Sequence, residues 1–146
     1  MKRLDDLLDD VRVLERTNDN NPEITALGYD SRSIAEGNCF FAVTGTASDG
    51  HNYITAAIDR GAVAIVCERM PEVQNEGVAY ILVEDSNIAM AAMAAALYDH
   101  PSEELKLVGV TGTNGKTTTA TLLYDMFMAM GYTAGLISTV VYRVGT

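Results

Sequence analysis

The chain has 146 residues, 48% of them hydrophobic and 21% charged, a globular composition that allows one ordinary domain or one domain and part of another. Its formal net charge of −10 argues against a nucleic-acid partner, and no apolar run reaches the length of a membrane span. The start, Met1-Lys2-Arg3, leads into acidic residues rather than a signal-peptide core, and Cys39 and Cys67 show neither metal spacing nor a redox pair, so a cytoplasmic location with no membrane partner is expected.

The charge is unevenly spread. Residues 1–104 carry 7 basic and 19 acidic side chains, a balance of −12, whereas residues 105–146 carry 3 basic and 1 acidic, a balance of +2. An anion site on such a chain must be local, built from backbone amides and single cations.

Leu4, Leu7, Leu8 and Val11 recur at spacings of three and four and predict a short amphipathic helix, with Asp5, Asp6, Asp9 and Asp10 on its solvated face. A polar stretch with Pro22 follows. Strands are predicted over 24–29, 39–43, 62–67 and 78–83. Asn52 is placed to cap a helix reaching Arg60 and closed by Gly61. Asp85 or Ser86 caps the next helix, which carries Ile88, Met90, Met93, Ala96 and Leu97 and stops near His100-Pro101. Residues 101–104 are the best linker candidate and divide 1–104 from 105–146. Beyond them the pattern predicts a strand over 105–110, a glycine-rich turn, a helix with Leu122, Leu123, Met126, Phe127 and Met130 on one face, and a last strand over 134–144.

The expected fold class is therefore α/β, with a small mixed-sheet domain followed by a single βαβ unit. One βαβ unit cannot bury both faces of its sheet. A second domain cut short, in a fragment of a longer protein, is the expectation.

The turn reads Gly109-Val110-Thr111-Gly112-Thr113-Asn114-Gly115-Lys116-Thr117-Thr118-Thr119. Strand, glycine turn and helix together are the setting of a phosphate-binding loop. Gly112 and Gly115 let the backbone approach a phosphate, Lys116 supplies a point charge, and Thr117 supplies a hydroxyl for Mg²⁺. Val110 stands where the common phosphate-loop pattern has its first glycine, so the stricter pattern fails and Gly-x-x-Gly-Lys-Thr remains.

Two loops of the first domain attract attention. Tyr29-Asp30-Ser31-Arg32 ends one predicted strand, and residues 44–51 leave the next. If the two strands are neighbours, both loops lie at a sheet edge, where α/β proteins bind ligands. Ser31 and Thr46 could hydrogen-bond a polar ligand and Arg32 could meet an anion, or these residues simply set turn geometry. His51 is suited to a turn or helix start rather than to catalysis, since nothing nearby in sequence completes a constellation.

Together these segments resemble the Mur ligase family, most closely its MurE branch. The resemblance rests on Tyr29-Asp30-Ser31-Arg32, Gly37-Asn38-Cys39-Phe40-Phe41-Ala42, Asp49-Gly50-His51, Gly61-Ala62-Val63-Ala64, Tyr98, Pro101-Ser102 and the run from Leu107 to Thr119. It also accounts for the failure of the stricter phosphate-loop pattern.

The resemblance implies three domains, which hold a uridine nucleotide, ATP and an amino acid in turn. It implies a UDP-sugar site at Tyr29, Ser31, Thr46, Ala47 and Ser48, and an ATP site at Gly112, Thr113, Asn114, Gly115, Lys116, Thr117 and Thr118. Lys116 would be catalytic and Thr117 a Mg²⁺ ligand. The implied reaction is ATP-dependent: UDP-N-acetylmuramoyl-dipeptide is activated as an acyl phosphate and joined to a diamino acid, meso-diaminopimelate or L-lysine, in peptidoglycan synthesis. The fragment alone would be inactive. A MurF-type or other ligase of the superfamily, or a non-catalytic nucleotide-binding module, is the alternative.

Overall fold

The structure is a computed structural model that describes residues 1–17, 19–45 and 48–145. It consists of two compact units, Met1–Leu105 and Lys106–Thr146.

The first unit is built on a five-stranded sheet in the order β2-β7-β6-β5-β4, from β2 (Val13–Thr17), β4 (Ala26–Gly28), β5 (Asn38–Ala42), β6 (Ala64–Cys67) and β7 (Ala79–Val83). The strands from β4 to β7 run parallel, and β2 joins β7 antiparallel at one edge. Parallel strands covered on both faces need apolar side chains at consecutive positions, not alternate ones. Accordingly every residue of β5 and β6 is buried.

Alternate residues feed two cores. Cys39, Phe41, Ala64, Val66, Ala79 and Ile81 face one side, where α1 (Leu4–Leu8) and α3 (Ser86–Leu97) contribute Leu4, Leu7, Ala89, Met93 and Ala96. Phe40, Ala42, Ile65, Cys67 and Tyr80 face the other, where α2 (Ile54–Asp59) contributes Ile54 and Ala57. Burial pushes the Cys67 thiol up to about 11 and that of Cys39 higher still, as befits small core hydrophobes. A two-stranded ribbon of β1 (Lys2–Arg3) and β3 (Glu23–Ile24) completes the unit.

The α/β class and the four predicted strands and three predicted helices of this region are present, several of them shorter than the pattern suggests. The 24–29 segment divides into β3 and β4. The cap expected of Asn52 falls earlier: the Asp49 side chain accepts the His51 N–H, opens a 3-10 turn over Gly50–Tyr53, and α2 follows. Of the two candidates for the α3 cap, Asp85 serves, accepting from the N–H groups of Asn87 and Ile88. Residues 101–104 form a helical turn, α4 (Pro101–Glu104), rather than an open linker, because Pro101 takes the first helical position, where it has no hydrogen bond to lose.

The second unit holds α5 (Lys116–Ala129) and an antiparallel hairpin of β8 (Gly135–Ile137) and β9 (Tyr142–Val144). Two expectations are corrected here. The segment over 134–144 is two strands, because Ser138 folds the chain back: its hydroxyl oxygen accepts from the N–H groups of Val140 and Val141. Residues 105–110 form no strand among the described residues, since a strand exists only through a ladder and this segment has no ladder partner. No helix among the described residues is long and apolar enough to cross a membrane.

Candidate functional site

In the second unit the chain turns through Gly112 (φ 146°) and Gly115 (φ 78°) into α5. A side chain at Gly115 would be strained by its left-handed backbone, although no heavy atom lies within 4 Å of where its Cβ would stand. The first helical bond runs from the Thr119 N–H to the Gly115 carbonyl. The N–H groups of Lys116, Thr117 and Thr118 precede it, have no acceptor within the helix, and sit at its positive end.

The Lys116 ammonium folds back over the loop and donates to the carbonyls of Gly112 (2.5 Å) and Thr113 (3.4 Å). Thr117 is half-buried at the second position of α5, and its carbonyl accepts from the Thr121 hydroxyl at 2.8 Å. Open backbone, three helix-end donors and one cation suit a phosphate chain. Gly112 through Thr118 thus form one continuous exposed turn and helix start, apart from the half-buried Thr117.

In the first unit, β4 and β5 are parallel neighbours, in register from Ala26↔Asn38 to Gly28↔Phe40. Tyr29–Arg32 and the residues that follow Ala42 therefore leave from the same end of these two adjacent strands. Tyr29 is 68% exposed. Ser31 opens a 3-10 turn capped by Asp30. The Arg32 guanidinium grips the Asp30 carboxylate at 2.8 and 2.9 Å, and with the Arg32 N–H holds that carboxyl down at about 2. Arg32, offered by its sequence as an anion contact, is thus engaged within its own turn. Ser48 is exposed, and its carbonyl accepts from the Gly45 N–H at 3.0 Å. Thr46 and Ala47, the other expected sugar contacts, lie outside the described residues.

The sequence does not reveal what fastens this end of the sheet. The His51 Nδ1 lies 2.6 Å from Asp49 Oδ1, and its Nε2 accepts from the N–H groups of Glu68 (3.1 Å) and Arg69 (3.3 Å) just beyond β6. The Asp49 carboxylate also pairs with the Arg69 guanidinium. Glu68 Oε2 accepts from the Thr44 hydroxyl and its Oε1 from the Ser86 N–H. With both ring nitrogens used and the side chain 9% exposed, His51 is structural rather than a base. Its two partners beyond β6 lie seventeen and eighteen residues away, beyond the reach of local pattern.

Residues 23–98 match the family described as "Mur ligase family, catalytic domain", and residues 110–145 match "Mur ligase middle domain". The chain belongs to the Mur ligase family. Among relatives, it is 50% identical over 94% of its length to the UDP-N-acetylmuramoyl-L-alanyl-D-glutamate–2,6-diaminopimelate ligase of Bacteroides thetaiotaomicron. It spans 28% of that ligase.

Among solved structures, MurF from Acinetobacter baumannii matches 88% of this Mur chain with a TM-score of 0.71 at 24% identity, a likeness of fold, and this chain covers 28% of it. MurF ligase from Thermotoga maritima, solved in complex with ADP, matches 71% of the chain with a TM-score of 0.58 at 34% identity, and 23% of that ligase is covered. The division between the two compact units falls in the gap between the two family matches.

Proposed function

We propose that this chain serves an ATP-dependent ligase that joins diaminopimelate to UDP-N-acetylmuramoyl-L-alanyl-D-glutamate. The observation that carries the reading is the 50% identity to a ligase of that name across 94% of the chain, a span that includes both units.

In this reading the first unit holds the UDP-sugar through Tyr29, Ser31, Thr46, Ala47 and Ser48. The loop from Gly112 to Thr118 holds ATP, whose γ-phosphoryl group would activate the substrate carboxylate. The unpaired N–H groups at the start of α5 orient the phosphates, and Lys116 exchanges its two carbonyl partners for phosphate oxygens. A Mg²⁺ ion, for which Thr117 would supply one ligand, contributes charge neutralisation of the phosphates. The alternative of a nucleotide sensor predicts binding without turnover.

The test is product mass from a ligase of the relatives' length that carries this sequence, given ATP, Mg²⁺ and the UDP-muramoyl-dipeptide. Separate reactions offer meso-diaminopimelate, L-lysine, or D-alanyl-D-alanine with the tripeptide substrate of a MurF-type enzyme. Selective incorporation of diaminopimelate is expected. Lysine incorporation would change the amino acid, the MurF-type product would change the branch, and absence of every product would leave the sensor.

A further inference from the structure

The end of the sheet that carries the proposed sugar contacts is fastened by side chains. Beyond β5, Thr44 and Asp49 form a bridge, the Gly45 N–H donates to the Ser48 carbonyl (3.0 Å) and the Gly50 N–H donates to the Val43 carbonyl (2.9 Å). Those bonds are local to the residues that follow β5. The attachment to the next strand is made by side chains. The Thr44 hydroxyl reaches Glu68 Oε2 at 3.1 Å, and Asp49 and His51 reach Glu68 and Arg69.

His51 is the centre of this fastening. Its Nδ1 and Nε2 face two opposite demands. The carboxylate of Asp49 requires a proton on Nδ1, and the two backbone N–H groups beyond β6 require a lone pair on Nε2. One neutral tautomer satisfies all three bonds at once. The side chain is only 9% exposed, so little water competes for these partners.

Resting on the proposed function above, we infer that His51 is a positioning residue for the UDP-sugar site: its neutral Nδ1–H imidazole clamps Asp49 to the C-terminal end of β6 and so presents the adjoining Ser48 to the substrate. It touches no reacting atom. Its effect is on how well the sugar nucleotide is held, not on the chemistry at the phosphate loop.

The experiment compares His51→Leu, which keeps bulk without an acceptor, with His51→Gln, whose amide oxygen extends to where Nε2 stands. In a ligase of the relatives' length, His51→Leu is expected to raise KM for UDP-N-acetylmuramoyl-L-alanyl-D-glutamate about tenfold, the scale of one or two lost hydrogen bonds. KM for ATP and kcat should stay within about twofold, and His51→Gln should recover most of the loss. An unchanged KM for the sugar nucleotide overturns the inference. A parallel loss in kcat and in KM for ATP, the pattern of general loosening, overturns it as well.

A second arm needs no substrate. In the 146-residue chain, amide hydrogen exchange at Gly45, Glu68 and Arg69 should quicken in His51→Leu and return towards the parent rate in His51→Gln. Unchanged exchange at Gly45 removes the clamp whatever the kinetics. A parent enzyme that never consumes the UDP-muramoyl-dipeptide overturns the proposed function, while the exchange arm still decides the clamp.

Discussion

The Lys116 ammonium lies 2.5 Å from the Gly112 carbonyl oxygen, spanning the mouth of its own loop. The side chain is exposed, and its hydrogen bonds go to the carbonyls of Gly112 and Thr113. Such bonds to solvated backbone contribute little to folding. In a full-length ligase Lys116→Ala should therefore leave stability within about 0.5 kcal/mol while turnover falls by roughly 10²–10³. Steady-state kinetics beside a thermal melt would check both halves. Unchanged turnover would place Lys116 on an idle surface.

Gly50 shows the opposite case, where backbone and not chemistry dictates the residue. A Cβ there would stand 2.7 Å from the Val43 nitrogen and 2.8 Å from its oxygen. Backbone atoms cannot swing aside as a long side chain can. Gly50→Ala should destabilise the first unit by about 1–3 kcal/mol, the usual scale of overpacking. Gly77→Ala makes a matched control, because no heavy atom lies within 4 Å of its Cβ position. Urea unfolding of the two variants should separate them clearly, and equal midpoints would contradict the close approach at Val43.

The parts legible in the sequence were those whose physics is local or uniformly apolar. The strands β5, β6 and β7 read directly because both of their faces are buried, and Asp85 reads as a cap because its partners are two and three residues away. β2 was lost in a polar stretch, since an edge strand with Glu15 and Arg16 can be half-solvated and carries no clean alternation. The turn from Gly112 to Lys116 was legible as a run of residue types, whereas the strand expected before it depends on ladder partners that no local pattern supplies. The bonds around His51 were invisible for the same reason: His51, Glu68 and Ser86 meet only after β5, β6 and β7 are laid side by side.

Acid should loosen that clamp. The Asp49 carboxyl is held at about 2, against an ordinary 3.8, by the His51 N–H first, then by the His51 ring and the Arg69 guanidinium. A carboxylate depressed on folding stabilises the native state while ionised. Its contribution is complete above the ordinary value and disappears as the pH falls from about 4 towards about 2. Thermal melts stepped through that window should show falling stability in the parent chain. Asp49→Asn should be less stable near neutral pH and show a flatter profile below pH 4, roughly. Asp30 titrates over the same window through Arg32, but that pair is open to solvent, so Asp30→Asn should change the profile less. A parent and Asp49→Asn variant with parallel profiles would remove the carboxylate from the stabilising network.

Residues 1–105 contain the whole of both buried cores of the first unit, so they should fold when expressed alone. If the proposed sugar site is correct, this piece should bind uridine diphosphate weakly, because the rest of the ligand would be held elsewhere. Ser31 opens the turn beside the exposed Tyr29, and Ser31→Ala removes one hydroxyl without disturbing the Asp30 cap or the Asp30–Arg32 pair. Losing one hydrogen bond costs about 0.5–1.5 kcal/mol, which corresponds to a rise in Kd of up to roughly tenfold. The acidic balance of −12 over residues 1–104 opposes an anionic ligand, so attraction must come from local donors and the overall field works against it. Adding salt screens that repulsion. Affinity should therefore hold or improve as ionic strength rises, the reverse of binding to a basic patch. Titrating uridine diphosphate while recording amide spectra at two salt concentrations tests both points. Resonances should shift at 29–32 and at the described ends of the 44–51 segment. Shifts confined to other surfaces, or affinity that collapses with salt, would place the nucleotide somewhere else on this unit.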